Sequence, residues 1–216
     1  MTGLFGRKNG DKTQAAAEEV SESLLFSTAF AGFGVDASLL VPWEARAVEV
    51  DAKRISGARG TELLQKVWAT DKYMSYLDAA SIQNLARHFD FARVEANRDV
   101  IRQDEYGNFM VVVLTGSMAV DRVQPWGERL RLAETRAGEI LGEMSLLDSG
   151  IRFSTCTSLT ECEVAVLSAQ GMDEMMVADP RRAASLVALL ARKLSLRLRV
   201  VSARLSDSKP PITKPA

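Results

Sequence analysis

In the segment GEMSLLDSGIRFST, residues 142–155, one carboxylate (Glu143) and one guanidinium (Arg152) flank a run of small and apolar residues. Leu141-Gly142 reads as the end of a strand, and Glu143-Met144-Ser145 as the first turn of a short helix. Such a turn presents backbone N–H groups that lack intrahelical partners, which makes it an anion site. Arg152, placed at the start of the next strand, can reach back over the turn and add charge-assisted, bidentate hydrogen bonds to a phosphate. Glu143 is acceptor-only when ionised and suits a sugar hydroxyl. Donors for a phosphate, an acceptor for a sugar and apolar walls for a base together describe a nucleotide site. The competing reading is that Glu143 and Arg152 simply pair with each other, as loop acids and bases do.

Such a loop needs a framework. The chain has 216 residues and is 47% hydrophobic, enough for one domain with extensions. Its formal charge of -1 implies no bulk attraction to nucleic acid or acidic membrane. Cys156 and Cys162, the two cysteines, lie in strand-like runs and read as buried thiols. From Phe89 the pattern alternates in short runs: F-D-F-A-R-V-E, D-V-I-R, N-F-M-V-V-V-L, S-M-A-V-D-R-V, E-R-L-R-L-A, R-F-S-T-C-T and E-C-E-V-A-V-L. Gly107, Gly116, Gly127 and Gly138 mark connections, and Q-P-W-G-E is a hairpin turn, so this part predicts a mainly β jelly roll.

Helices flank it. Leu63, Leu64, Val67 and Trp68 recur at helical spacing between Thr61 and Met74, and a second helix follows Asp78 as N-cap. The lone His88 closes that helix and has no Cys or acid cluster with which to hold a metal. Asp179-Pro180 opens a long last helix, 181–206, with Leu186, Leu190, Leu194, Leu198, Val201 and Leu205 near one side. A stripe longer than one barrel can cover predicts a homodimer through this helix; the alternative is that it packs only on the barrel and the N-terminal helices. The predicted organisation is a flexible arm (1–23), a partly helical extension (24–75), the jelly roll (76–180), the last helix and a flexible tail (207–216).

Residues 24–43 are the one stretch resembling a membrane span. Asp36 at its middle would cost about 2.5 to 3.5 kcal/mol at bilayer depth, so the stretch is predicted to dock on the protein. The polar N-terminus has no apolar h-region of a secretory signal, which predicts a cytoplasmic chain.

The region resembles the cyclic nucleotide-binding domain of protein kinase A regulatory subunits, cyclic nucleotide-gated channels and the bacterial catabolite activator family. That family carries a phosphate-binding cassette, approximately F-G-E-L-A-L, a few variable residues, then R-A-A-T-V; here it reads L-G-E-M-S-L-L-D-S-G-I-R-F-S-T-C. Gly116 in L-T-G-S-M and Gly138 in A-G-E-I-L-G-E match further family glycines. The resemblance spans residues 76–206 and implies that Glu143 binds a ribose 2′-hydroxyl. Arg152, Gly142 and the Met144 and Ser145 amides would then hold a cyclic phosphate, with Phe153 and Ser154 beside base or phosphate. On the last helix Arg197 is placed either to stack on the base as a lid or to stand as a solvated or interhelical arginine.

Three positions depart from the family pattern. Ile151 replaces a proline, and Gln103-Asp104-Glu105 replaces Q-G-D. Phe153 offers no hydroxyl to a guanine, which favours cyclic AMP over cyclic GMP. The implied function is non-enzymatic sensing with no cofactor beyond the cyclic nucleotide. With no helix-turn-helix in the sequence, the output is expected to pass to an unknown effector protein rather than to specific DNA. A barrel that kept the fold but lost the ligand, serving as a protein-interaction module, is the alternative. Nucleic-acid binding through the basic last helix is a third possibility, and no nucleophile-base pair supports an enzyme.

Overall fold

The computed structural model describes residues 25–207. The arm at 1–23 and the tail beyond 207 lie outside the described residues. Among the described residues nine strands form two antiparallel sheets, in the order β1-β2-β9-β4-β7 and β3-β8-β5-β6. The strands are β1 Lys53–Arg54, β2 Asp90–Val94, β3 Asp99–Ile101, β4 Phe109–Thr115, β5 Ser117–Val123, β6 Arg129–Arg136, β7 Ile140–Leu141, β8 Thr155–Ser158 and β9 Cys162–Ser168. The helices are α1 Ala29–Gly32, α2 Trp43–Glu49, α3 Gly57–Thr70, α4 Ala79–Leu85, α5 Glu143–Asp148, α6 Ala169–Ala178 and α7 Pro180–Asp207. This is the jelly roll with flanking helices and a long last helix that the alternation and helical spacing predict.

Strand β4 explains why the molecule has two cores. Successive side chains of a strand point to opposite faces, and β4 is apolar on both. Met110, Val112 and Leu114 pack with Leu64, Trp68, Phe91 and Leu186 beneath the helices. Phe109, Val111 and Val113 pack between the sheets with Val94, Met118, Cys156 and Val164. Trp43 and Val50, from α2 and its end, join this second core, so an element of the N-terminal extension helps close the barrel.

Local chemistry sets the helix limits. Asp78 caps α4 by accepting from the Ser81 N–H (2.7 Å), and Asp179 caps α7 by accepting from the Arg182 N–H (3.1 Å), with Pro180 in the first turn. Helix α3 begins at Gly57, four residues before the predicted start, on Ser56 as cap. It ends at Thr70 instead of Met74, because Asp71 breaks away to accept from the Tyr73 and Met74 N–H groups.

Of the 24–43 stretch, the part described from Leu25 touches the body near its start, while Phe33 and Leu39 stay exposed. The Phe26 and Ser27 N–H groups donate to the buried Asp173 carboxylate at 2.9 and 2.8 Å, and Phe30 is buried. No helix among the described residues is long and apolar enough to cross a membrane. Helix α7 is buried over its first turns through Ala183, Leu186, Leu189 and Leu190. Beyond Leu194 its side chains are more exposed, Leu198, Val200 and Val201 by half or more, while Arg197 still bonds to the body.

Candidate functional site

Helix α5 begins where β7 leaves the sheet. Gly142 stands at φ +74°, in the left-handed region that glycine enters without a side-chain penalty, and this turns the chain from strand to helix within one residue. The turn buries Glu143 and Ser145 and leaves Met144 half exposed. By helix geometry the first-turn amides of α5 have no intrahelical carbonyl to bond.

Arg152 is 3% exposed. It sits in the loop three residues before β8, not at the start of that strand as the sequence suggests. The difference has a backbone cause: the Arg152 N–H donates to the Glu105 carbonyl at 2.8 Å, and its own carbonyl accepts from the Asp104 N–H at 2.9 Å. The chain is thus fastened to the 103–106 turn before it reaches the sheet. Asp104, at the position of the glycine in the Q-G-D pattern, stands in the left-handed region with φ +65°, which Asp enters more readily than most residues.

The Arg152 guanidinium points inward. Nη1 donates to the Gly142 carbonyl at 2.8 Å and Nη2 to the Phe109 carbonyl at 2.6 Å, and the group lies 4.5 Å from the centre of the Phe109 ring. Two glycines leave room for it. A Cβ at Gly107 would stand 2.6 Å from Nε, and one at Gly142 would stand 2.5 Å from Nη1. Burial lowers the guanidinium pKa to about 10, so it stays charged at neutral pH. Among the described residues no carboxylate forms an ion pair with it.

Glu143 therefore does not pair with Arg152. Its carboxylate, 5% exposed as a residue, accepts instead from Arg197 Nη1 of α7 at 2.5 Å. Arg197 also reaches Glu139 (3.2 Å) and the Ile140 carbonyl (3.1 Å), while its side chain stays 43% exposed. Burial pushes the Glu143 carboxyl above its ordinary range, and the Arg197 charge partly offsets this.

These groups line one cavity of about 770 Å³ between the four-stranded sheet, α5 and α7. Gly142, Glu143, Met144, Ser145, Arg152, Phe153, Ser154 and Arg197 all lie on its wall. Phe153 is half exposed and carries the Arg122 guanidinium 4.1 Å from its ring centre. Ile151 is exposed and bridges Tyr106.

Sequence reasoning missed the apolar wall contributed by Val120, Leu132, Leu196, Val200 and Val201, and it missed Glu139 as a second partner of Arg197. Cys156 also faces the cavity, but burial raises its thiol to about 12, so it is an inert wall. Among the described residues no group of His, Cys, Asp and Glu is placed to hold a metal ion.

The comparison with known families falls on this same body: residues 91–179 match the family model described as the cyclic nucleotide-binding domain. This stretch belongs to that family.

A cyclic AMP receptor protein of Thermus thermophilus is 31% identical over 97 residues, 45% of either chain. The neuropathy target esterase sws of Drosophila mojavensis is 25% identical over 179 residues, 77% of this chain and 12% of the esterase. The chain therefore spans less than half the length of both curated relatives. Among solved structures, a cyclic nucleotide-binding domain from Methylobacillus flagellatus superposes with a TM-score of 0.67 at 21% identity, covering 76% of this chain and 93% of that one. That likeness is one of fold.

Proposed function

We propose that the chain is a non-enzymatic cyclic nucleotide sensor that favours cyclic AMP. One observation carries the proposal: a buried guanidinium with no carboxylate partner among the described residues lines a nucleotide-sized cavity whose other polar end is a buried carboxylate. A buried charge is costly unless something compensates it, and a cyclic phosphate supplies that compensation. Arg152 and the Met144 and Ser145 amides hold the phosphate beside Gly142. Glu143 takes the ribose 2′-hydroxyl. Phe153 and Ser154 flank the ligand, and Arg197 covers it.

The helix α7 supplies part of the cavity wall through Leu196, Arg197, Val200 and Val201. A ribose hydroxyl on Glu143 competes with Arg197 for the same carboxylate. Ligand binding thus differs in free energy between latched and unlatched α7, which is the requirement for shifting a conformational equilibrium. The re-angled helix, with Leu198 and Val201 exposed, is the surface for a homodimer and for an effector protein. The cAMP receptor among the curated relatives supports the choice of ligand class.

A second reading, a ligand-free interaction module, draws on the occupancy of Glu143 by Arg197. A thermal-shift series with cyclic AMP, cyclic GMP and cyclic dinucleotides separates the two. A ligand at a hundredfold excess over its Kd stabilises the folded state by about 2.7 kcal/mol, and the largest shift is expected for cyclic AMP. No shift with any of them, and no calorimetric heat with either mononucleotide, rejects the sensor.

A further inference from the structure

Helix α2 lies outside the stretch that matches the family model, yet it is built into the back of the anion site. Its Arg46 is 1% exposed and makes ion pairs with Glu49 (2.5 Å) and Glu105. The Arg46 Nε is buried and has no hydrogen-bond partner among the described residues. A buried cation with an orphaned donor, paired with carboxylates that stay partly exposed, is weak evidence for a stabilising role. The arrangement does fix the Glu105 turn, whose carbonyl holds the Arg152 N–H at 2.8 Å.

A second path runs through rings. Trp43 meets Phe109 edge-to-face, with centroids 5.6 Å apart. Phe109 carries the Arg152 guanidinium on its ring and accepts from Nη2 through its carbonyl. The lead-in to α2 adds a third contact: the Val41 N–H donates to the Tyr106 carbonyl at 2.8 Å, and Tyr106 bridges both Leu40 and Ile151.

We propose that α2 is a positioning element for Arg152, with Trp43 acting through Phe109 and Arg46 through Glu105. The proposal rests on reading Arg152 as the phosphate-binding residue. Neither Trp43 nor Arg46 touches the ligand; they set where the guanidinium stands. Coupling between sites is reciprocal, so a nucleotide that fastens Arg152 also fastens residues 40–50 to the barrel, and the N-terminal segment becomes a second route by which occupancy is reported.

The test uses the full chain with Arg46→Met, which keeps volume, and Glu105→Gln, which reaches the same contact if the first variant fails to fold. Cyclic AMP affinity by calorimetry is expected to fall about fivefold or more in either variant. That loss is expected to vanish when Arg152→Ala is already present, because both act through one group. An equal loss in the Arg152→Ala background overturns the proposal, as does no loss in wild type.

A second readout needs no nucleotide. The Arg152 Nε–H resonance, assigned by its disappearance in Arg152→Lys, is expected to shift or broaden in Arg46→Met; an unmoved resonance overturns the positioning role. If the resonance moves while wild type binds no cyclic nucleotide, the sensor reading fails and the positioning of Arg152 stands.

Discussion

The cavity holds two arginines in opposite circumstances. Arg152 is buried, held by two carbonyls, a ring and a pair of glycines, and none of the described carboxylates forms an ion pair with it. Arg197 is nearly half exposed and already holds two carboxylates, Glu143 and Glu139. The first is a fixed donor with charge to spare, at the cost of burial. The second spends its charge on the protein itself and can be released into water cheaply, as suits a latch. Burial and partner type, more than residue type, set the two arginines apart.

Removing the fixed donor is expected to have the largest effect. Arg152→Ala should weaken cyclic AMP binding by about 1.5 to 3 kcal/mol, the range for a hydrogen bond to a charged group, or roughly tenfold to a hundredfold by calorimetry. Gly107→Ala should follow. Its Cβ would collide with Nε at 2.6 Å, and the flexible end of the side chain yields before the backbone does. Affinity should therefore drop severalfold while the melting temperature moves little, and a parallel fall in both would break the distinction between positioning and folding.

The latch should respond differently. In Arg197→Met the Glu143 carboxyl loses the charge that lowers its pKa, so its titration, read by carboxyl carbon NMR, should move further up. The sign for stability follows from burial. A carboxyl raised above its unfolded value holds its proton longer in the folded state, so it favours folding at pH below the unfolded value near 4.5 and loses that contribution as pH rises through the raised one. Nucleotide binding through ionised Glu143 should strengthen over the same rise. The smallest effect is expected at Phe153: replacing it with Thr should shift preference toward cyclic GMP by a few-fold, measured as a ratio of the two affinities.

The contrast also marks how far the sequence could be read. Glu143 and Arg152 were legible because one loop carries both, and six of the seven longer strands because one or both of their faces are buried; β6 was legible from its R-L-R-L alternation although Leu130 and Leu132 stay exposed. Strands β1 and β7 have two residues each, too few to show a period. The start of α3 was hidden by Gly57 and Gly60, poor helix formers. Gly60 is required by packing, since a Cβ there would stand 2.1 Å from the Phe91 ring.

The partner of Glu143 was illegible for another reason. Arg152 and Arg197 are equally able to pair with it in chemical terms, and only the course of α7 decides between them. The contact of Arg46 with Glu105 joins residues 59 apart in the chain, and no local pattern announces it.

The most direct test is a crystal structure of the cyclic AMP complex. The account predicts a phosphate oxygen within about 3 Å of the Arg152 guanidinium, the ribose 2′-hydroxyl on Glu143, and Arg197 withdrawn from that carboxylate. A nucleotide bound elsewhere, with Arg197 still seated on Glu143 and the 770 Å³ cavity empty, would contradict it.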